Sequence, residues 1–150
     1  SQRRPGRARY ADVVLPPRTL ERLLEESDFV VLTTPLTRET RHMIGAAQLN
    51  MMKPSAFLVN VSRGPLVDET ALATALRRQS IAGAALDVFE AEPLPADSPL
   101  RELPNLFYSP HIAGWLAEYP EMVLEVFADN LRRFLNGQRL RNLIDKQRGY

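Results

Sequence analysis

Residues 56–78, with the sequence AFLVNVSRGPLVDETALATALRR, place a short apolar run directly before a polar turn and a helical pattern. The run from Ala56 to Val61 predicts a buried strand. Asp68 can accept the free N–H groups at the start of a helix, and Arg77 and Arg78 fall at its C-terminal end, where cations suit the helix dipole. Four apolar residues share one face of that helix: Ala71, Leu72, Ala75 and Leu76. The stretch therefore predicts one strand–helix unit of an α/β protein.

The same alternation continues on both sides of this unit. Three further apolar or β-branched runs predict strands: Phe29 to Thr33, Ile81 to Val88 and Leu106 to Tyr108. Two more helical patterns come earlier in the chain: a stripe of Leu20, Leu23 and Leu24 behind Pro17, and the segment Ala46 to Met52. Strand starts recur roughly every 25 residues, the length of a strand with its crossover helix. This spacing predicts an open parallel α/β sheet with helices on both faces.

A long amphipathic helix is predicted beyond Pro120. Seven apolar residues form one stripe that ends before Gly137: Met122, Val123, Val126, Phe127, Leu131, Phe134 and Leu135. The helix is long enough to reach another domain. Packing on its own sheet is an equally good interpretation of the pattern.

Composition narrows the class of protein. The 150 residues, 45% of them apolar, predict one ordered domain. The chain has no cysteine and no apolar run near the ~18 residues of a membrane span, so we expect a cytoplasmic domain with no membrane partner and no thiolate zinc site. No other metal site is predicted. Its net charge of +1 hides a slightly acidic body behind a basic start, which argues against a nucleic-acid partner.

Ionisable residues follow three of the predicted strands at the edge where open α/β sheets bind their ligands. Arg63 follows the second strand, Asp87 lies at the end of the third with Glu90 and Glu92 after it, and His111 follows the fourth. Each alone could be a solvated loop or turn residue. Together, an arginine fork for a carboxylate, a histidine that titrates near neutrality and a carboxylate to orient it suit the reduction of a 2-keto acid.

Two other features limit the site. His42 lies in a polar stretch, residues 37–42, and is expected to be an exposed loop residue. The seven glycines are spaced too widely to form the phosphate-binding loop of a nucleotide enzyme.

Four runs of the sequence carry a family resemblance: SDFVVLTTPLTRETRHMI (27–44), MKPSAFLVNVSRGPLVDETAL (52–72), AGAALDVFEAEPLP (82–95) and LPNLFYSPHIAG (103–114). In order and spacing they closely resemble the C-terminal half of the NAD(P)-dependent D-isomer-specific 2-hydroxyacid dehydrogenases. The resemblance implies an α/β fold, a partial Rossmann-like doubly wound parallel sheet with a long C-terminal helix. It also implies a glyoxylate or hydroxypyruvate reductase, although phosphoglycerate and phosphite substrates stay open.

The resemblance assigns a role to each candidate residue. Arg63 would grip the substrate carboxylate, His111 would act as general acid, and Glu92 rather than Glu90 would be the partner of His111. The residues that would contact or border the cofactor are Thr34, Val61, Ser62, Arg63, Asp87, His111, Ala113 and Gly114, with Asp87 accepting from the nicotinamide carboxamide. Where the family has a small or hydroxyl residue after the histidine motif, this chain has Trp115-Leu116, and Trp115 either shapes the substrate pocket or packs at the base of the last helix.

NADP(H) is favoured over NAD(H) as the cofactor. By resemblance, Ser1-Gln2-Arg3-Arg4 falls where NAD enzymes carry an acid for the ribose 2′-hydroxyl, and this segment has no acid but two arginines. Arg3 and Arg4 would therefore accept a 2′-phosphate.

The resemblance also divides the chain. Residues 1–115 would be the C-terminal part of a dinucleotide-binding domain, and residues 116–150 would be a helix and tail that return to a substrate domain. Most of that substrate domain, the glycine fingerprint and the dimer-forming helices are expected to be missing from these 150 residues. A homodimer acting on a small 2-keto or 2-hydroxy acid is expected of the longer enzyme, and no turnover is expected of these 150 residues alone. The alternatives are a corepressor-like protein that binds the dinucleotide without catalysis, and an inactive fragment.

Overall fold

The computed structural model describes residues 10–146 and contains a parallel sheet of four strands. The strands are β1 (Phe29–Leu32), β2 (Phe57–Asn60), β3 (Gly83–Leu86) and β4 (Leu106–Tyr108), and they lie in the order β1-β2-β3-β4. The predicted α/β fold is confirmed, with strands at each of the four predicted places. The runs predicted for β1, β2 and β3 were longer than the strands because their ends turn into loops.

One helix precedes the first strand and two connect later strands. They are α1 (Leu20–Glu26), which follows a 3-10 turn, α2 (Ala46–Met51) and α3 (Glu69–Arg77). The predicted cap of α3 is present, since the Asp68 carboxylate accepts from the Ala71 N–H at 2.9 Å. The largest fully buried apolar side chains belong to one hydrophobic core cluster: Leu24, Ile44, Leu49, Leu58, Leu66, Leu72, Leu76, Ile81 and Leu100.

Only one face of the sheet is covered within residues 10–146, so the prediction of helices on both faces is wrong for this part of the chain. Along β1, Val30 and Leu32 are buried whereas Phe29 is 68% exposed; on β4, Phe107 is 70% exposed. The physical reason is the strand order. Right-handed crossovers that always step in the same direction place every connecting segment on the same face.

The long C-terminal helix, α4 (Tyr119–Leu135), is also present, and none of its residues is buried. It ends as the sequence predicts. Gly137 has a φ of 66°, its N–H bonds the Phe134 carbonyl, and the next N–H, that of Gln138, bonds the Arg133 carbonyl. Because the apolar stripe is exposed, the interpretation in which α4 packs on its own sheet does not hold for residues 10–146.

Gly64 sets the distance between the turns that follow β2 and β3. A Cβ atom built on Gly64 would overlap the carbonyl carbon and oxygen of Phe89 and crowd the Glu90 nitrogen. These are backbone atoms, which cannot rotate away as the end of a side chain can. The absence of a side chain at Gly64 therefore lets the segment carrying Arg63 lie against the segment carrying Glu92.

We expect Gly64→Ala to destabilise the chain by about 3 kcal/mol, at the upper end of the usual cost of overpacking. Urea denaturation followed by circular dichroism measures the difference. Gly114→Ala is the matched control, because a Cβ there meets nothing within 4 Å and the change should stay within ~0.5 kcal/mol. Equal stability of the two variants would contradict the close approach at Gly64.

Candidate active site

Glu92 and His111 form a direct pair at the carboxyl edge of the sheet. His111 Nδ1 lies 2.8 Å from Glu92 Oε2, and the other carboxylate oxygen accepts from the Phe89 N–H at 2.9 Å. The hydrogen bond with His111 holds the pKa of Glu92 below its usual range, and the Phe89 N–H and the charges of His111 and Arg63 act in the same direction. The carboxylate is therefore ionised and fixed in orientation by its own loop.

Arg63 lies in the turn after β2, and a buried amide shapes that turn. Asn60 is 1% exposed; its Nδ2 donates to the Arg63 carbonyl at 2.9 Å and its Oδ1 accepts from the Ser62 N–H at 3.1 Å. The Arg63 guanidinium is exposed and donates to the Ser62 carbonyl. Asn60 was not among the predicted site residues. A polar residue that ends an otherwise apolar strand was the available signal.

Asp87 lies at the end of β3 and is 4% exposed. Its Oδ1 accepts from the Ser109 hydroxyl at 2.6 Å and from the Ile112 N–H at 2.9 Å, and its Oδ2 accepts from the Ala113 N–H at 2.8 Å. Burial by itself would raise the pKa of Asp87, but these three hydrogen bonds outweigh it and the pKa is lowered. A buried, ionised carboxylate thus holds the loop after β4.

The other residues assigned to the cofactor lie on loops at the same edge. The Ser62 hydroxyl donates to the Thr34 carbonyl at 2.6 Å, which ties the turn after β2 to the loop after β1. A shallow groove of about 250 Å³ opens here, lined by residues that include Val59, Val61, Asp87, Ser109 and Ala113. Apolar walls beside backbone amides and a carboxylate fit a flat carboxamide-bearing ring such as nicotinamide. Arg3 and Arg4 lie outside the described residues.

A second cavity, of about 560 Å³, lies beside the Glu92–His111 pair. Its lining is mostly apolar and aromatic: Phe89, Glu92, Pro93, Leu94, Arg101, Tyr108, Ser109, Pro110 and His111. The Arg101 guanidinium lies 5.8 Å from the centre of the Tyr108 ring and donates to the carbonyls of Leu94 and Pro95. Arg101 and Tyr108 were not singled out from the sequence.

His42 is exposed, as predicted, but it has a specific contact. Its Nε2 lies 3.0 Å from Glu90 Oε1, and the Glu90 N–H donates to the Glu69 carboxylate at 2.6 Å. Burial raises the pKa of Glu69, and the neighbouring charge of Glu90 adds to the effect. Glu90 thus faces α3 and His42, whereas Glu92 meets His111, so the two acids of this loop serve different contacts.

Trp115 is 79% exposed, so the interpretation in which it packs at the base of the last helix does not hold within residues 10–146.

No helix within residues 10–146 is long and apolar enough to cross a membrane.

The arrangement can transfer a proton and bind an anion. Glu92 occupies His111 Nδ1, which leaves Nε2 of the imidazole for a ligand, and Arg63 offers an exposed planar cation at the same edge. An imidazole backed by a carboxylate, with an arginine nearby, suits general acid–base chemistry on a carboxylate-bearing molecule.

Two curated proteins with similar sequences carry the names of reductases. The chain is 52% identical over 128 residues to a glyoxylate reductase of Korarchaeum cryptofilum, a match that covers 85% of this chain and 39% of the relative. It is 49% identical over 128 residues to a glyoxylate/hydroxypyruvate reductase B of Pectobacterium carotovorum, covering 85% and 40%. The chain thus spans about 40% of the length of these curated relatives.

A solved structure and a family profile agree with these relatives. A D-isomer specific 2-hydroxyacid dehydrogenase from Xanthobacter autotrophicus Py2, determined in complex with NADPH and MES, superposes with a TM-score of 0.83 at 41% identity, covering 90% of this chain and 55% of that one. Residues 2–113 match the profile of the D-isomer specific 2-hydroxyacid dehydrogenase, NAD binding domain. Because that match spans well over half of the chain, this protein belongs to the D-isomer specific 2-hydroxyacid dehydrogenase family.

Proposed function

We propose that this chain carries the proton-transfer and cofactor-binding half of an oxidoreductase that interconverts 2-keto and 2-hydroxy acids. The observation that carries the proposal is the 2.8 Å contact between His111 Nδ1 and Glu92, at the strand edge where Arg63 is also exposed. Membership of the family and the names of the reductases that resemble this chain support it.

In the reductive direction, His111 is the proton donor. Nδ1 faces Glu92, so the proton on Nε2 passes to the keto oxygen, which becomes the hydroxyl oxygen of the product. The Glu92 carboxylate stabilises the imidazolium before transfer and fixes the orientation of the ring. Arg63 binds the substrate carboxylate through two parallel hydrogen bonds and polarises the keto group. In the oxidative direction His111 takes the same proton back.

The nicotinamide cofactor, when bound, supplies the hydride for the carbonyl carbon. The residues that would hold it are Thr34, Val61, Ser62, Ala113 and Gly114. Asp87 keeps its proposed contact with the carboxamide, because Oδ2 accepts only one protein hydrogen bond while a carboxylate oxygen can accept two.

Glyoxylate or hydroxypyruvate is the proposed substrate, on the strength of the reductases described above. We place residues 1–115 in a dinucleotide-binding domain and residues 116–150 in a helix and tail that return to a substrate domain. The exposed apolar stripe of α4 supports this division, since such a stripe needs a partner surface. A cytoplasmic homodimer stays a prediction for the longer enzyme.

The activity can be tested in a chimera in which this chain replaces the matched part of the Korarchaeum cryptofilum glyoxylate reductase. We expect the chimera to reduce glyoxylate, and His111→Gln to lower kcat at least ~100-fold through the loss of general acid catalysis. Arg63→Lys should chiefly raise KM for the keto acid, because lysine keeps the charge but loses the planar fork. Steady-state kinetics with NADPH measures both.

Two controls belong to this experiment. His42→Gln makes the same substitution at the other histidine of the chain and should change kcat less than ~3-fold, and the unmodified 150-residue chain should show no sustained turnover by itself. A folded chimera that binds NADPH without turnover would favour the corepressor-like alternative. Full activity in His111→Gln would overturn the assignment of the proton donor.

The lowered pKa of Glu92 makes a prediction about stability. A carboxyl group whose pKa is lowered on folding contributes stability above its unfolded value, and loses that contribution as the pH falls through the folded value. The unfolding free energy of Glu92→Gln should therefore be lower than that of the unmodified chain near pH 7. The difference should shrink as the pH falls below the usual pKa range of a carboxyl group. Urea titrations at several pH values measure it, with Glu125→Gln on α4 as an exposed control. A difference that grows towards low pH would contradict the shift.

NADP(H) is the proposed cofactor because Arg3 and Arg4 stand where the family's NAD enzymes carry an acid, and the Xanthobacter autotrophicus structure contains NADPH. In the chimera, Arg3→Ala with Arg4→Ala should raise KM for NADPH about 10- to 100-fold, the range for hydrogen bonds to a charged group. KM for NADH should stay unchanged. Arg7→Ala with Arg9→Ala is the charge-matched control. Preference for NADH before mutation would refute the proposal.

A further inference from the structure

We propose that Asp87 is the positioning residue of the proposed proton donor: its buried carboxylate holds the loop 109–113 in the conformation that brings the His111 ring to Glu92. The consequence for catalysis rests on the function proposed above. The positioning itself is a property of the chain and can be measured without substrate or cofactor.

The backbone at His111 needs such support. His111 has a φ of 57°, in the left-handed region that residues other than glycine rarely adopt. A conformation of this kind persists when the surrounding structure determines it. The hydrogen bonds to Asp87 come from both sides of His111, namely from Ser109 before it and from Ile112 and Ala113 after it.

Asp87 is itself fixed to the sheet. Its N–H donates to the Asn60 carbonyl at 3.0 Å, and the Ser109 N–H donates to the Leu86 carbonyl at 3.0 Å. Both contacts extend the pattern of the parallel strands by one residue. The carboxylate is therefore a fixed reference point on which the N–H groups of two consecutive residues, Ile112 and Ala113, converge.

One loop supplies both carboxylates that act on His111. Asp87 begins the segment after β3 and holds the backbone around His111, whereas Glu92, five residues later, meets the ring. The Phe89 N–H, between them, orients Glu92. The distance between ring and carboxylate is thus set within a single short segment.

A role in cofactor binding alone would not account for the hydrogen bonds that Asp87 accepts from the protein. Oδ1 already accepts two protein hydrogen bonds and Oδ2 accepts one, and all three are present in the chain without any ligand. A residue that acts only on the nicotinamide would leave His111 unchanged when no cofactor is present. A positioning residue changes His111 under the same conditions.

The test is Asp87→Asn in the 150-residue chain, studied by NMR without cofactor. An asparagine NH₂ cannot accept a hydrogen bond, so the Ile112 or the Ala113 N–H loses its acceptor. We expect the amide hydrogen of Ile112 or that of Ala113, whichever loses its acceptor, to exchange at least ~10-fold faster, as the loss of one hydrogen bond implies. The ¹⁵N signal of His111 Nδ1 should move towards that of a solvent-exposed imidazole, while the His42 signals stay in place and serve as the internal reference.

Asp68→Asn is the matched control. It makes the same substitution at a carboxylate that accepts a backbone N–H, from Ala71 at 2.9 Å, but on α3. It should leave the His111 signals unchanged. Ser109→Ala removes only the hydroxyl donor and keeps the proposal testable if Asp87→Asn does not fold, and it should shift the same signals in the same direction by a smaller amount.

Unchanged exchange at Ile112 and Ala113, or an unchanged His111 signal, in a folded Asp87→Asn chain would overturn the proposal. In the chimera, the same variant should also lower kcat, because a His111 ring displaced from Glu92 is a poorer general acid. A chimera that never turns over would defeat the proposed function, yet the NMR result would still decide the role of Asp87.

Discussion

The parallel register of the four strands is the constraint on which the site depends. Leu32 pairs with Asn60, Asn60 with Leu86, and Leu86 with Tyr108, so the strands end in one row. Side chains that follow each strand are consequently delivered to one edge, although they are distant in sequence. The hydrogen bonds of the ladder continue just past this row, as between the Asp87 N–H and the Asn60 carbonyl, and they join neighbouring turns to each other.

Two buried polar side chains at this row of strand ends, Asn60 and Asp87, hydrogen-bond the backbone of the segments that carry exposed side chains. Asn60 closes the turn that carries Arg63, and Asp87 holds the loop that carries His111. Buried polar groups are normally hydrogen-bonded because an unpaired one is costly, so each buried side chain enforces the backbone geometry around it. Rigidity at the edge thus comes from groups that do not face solvent, and the Arg63 and His111 side chains are left accessible.

The sequence predicts the elements of this fold well and their mutual contacts poorly. The strand β4 and the Asp68 cap of α3 follow from local patterns, because an apolar run and a capping carboxylate act within a few residues. The open face of the sheet could not be foreseen, because it depends on the order of strands. The overlap of Gly64 with the Phe89 backbone was equally hidden. Arg63, Glu92 and His111 could be proposed as site residues because their motifs resemble a family pattern, whereas the three donors to Asp87 depend on tertiary geometry.

The exposure of the site has a physical consequence for its chemistry. The Glu92 and His111 side chains are 37% and 48% exposed, so water screens their interaction within residues 10–146. Proton transfer beside a developing charge is more effective where water is excluded and the dipoles are fixed. The same part of the chain leaves apolar surface open on one face of the sheet and along α4. Covering that surface would stabilise the fold, and a partner surface that also reached the carboxyl edge would exclude water from the Glu92–His111 pair. The chain therefore supplies a rigid polar edge, and the strength of the interactions at that edge depends on what covers it.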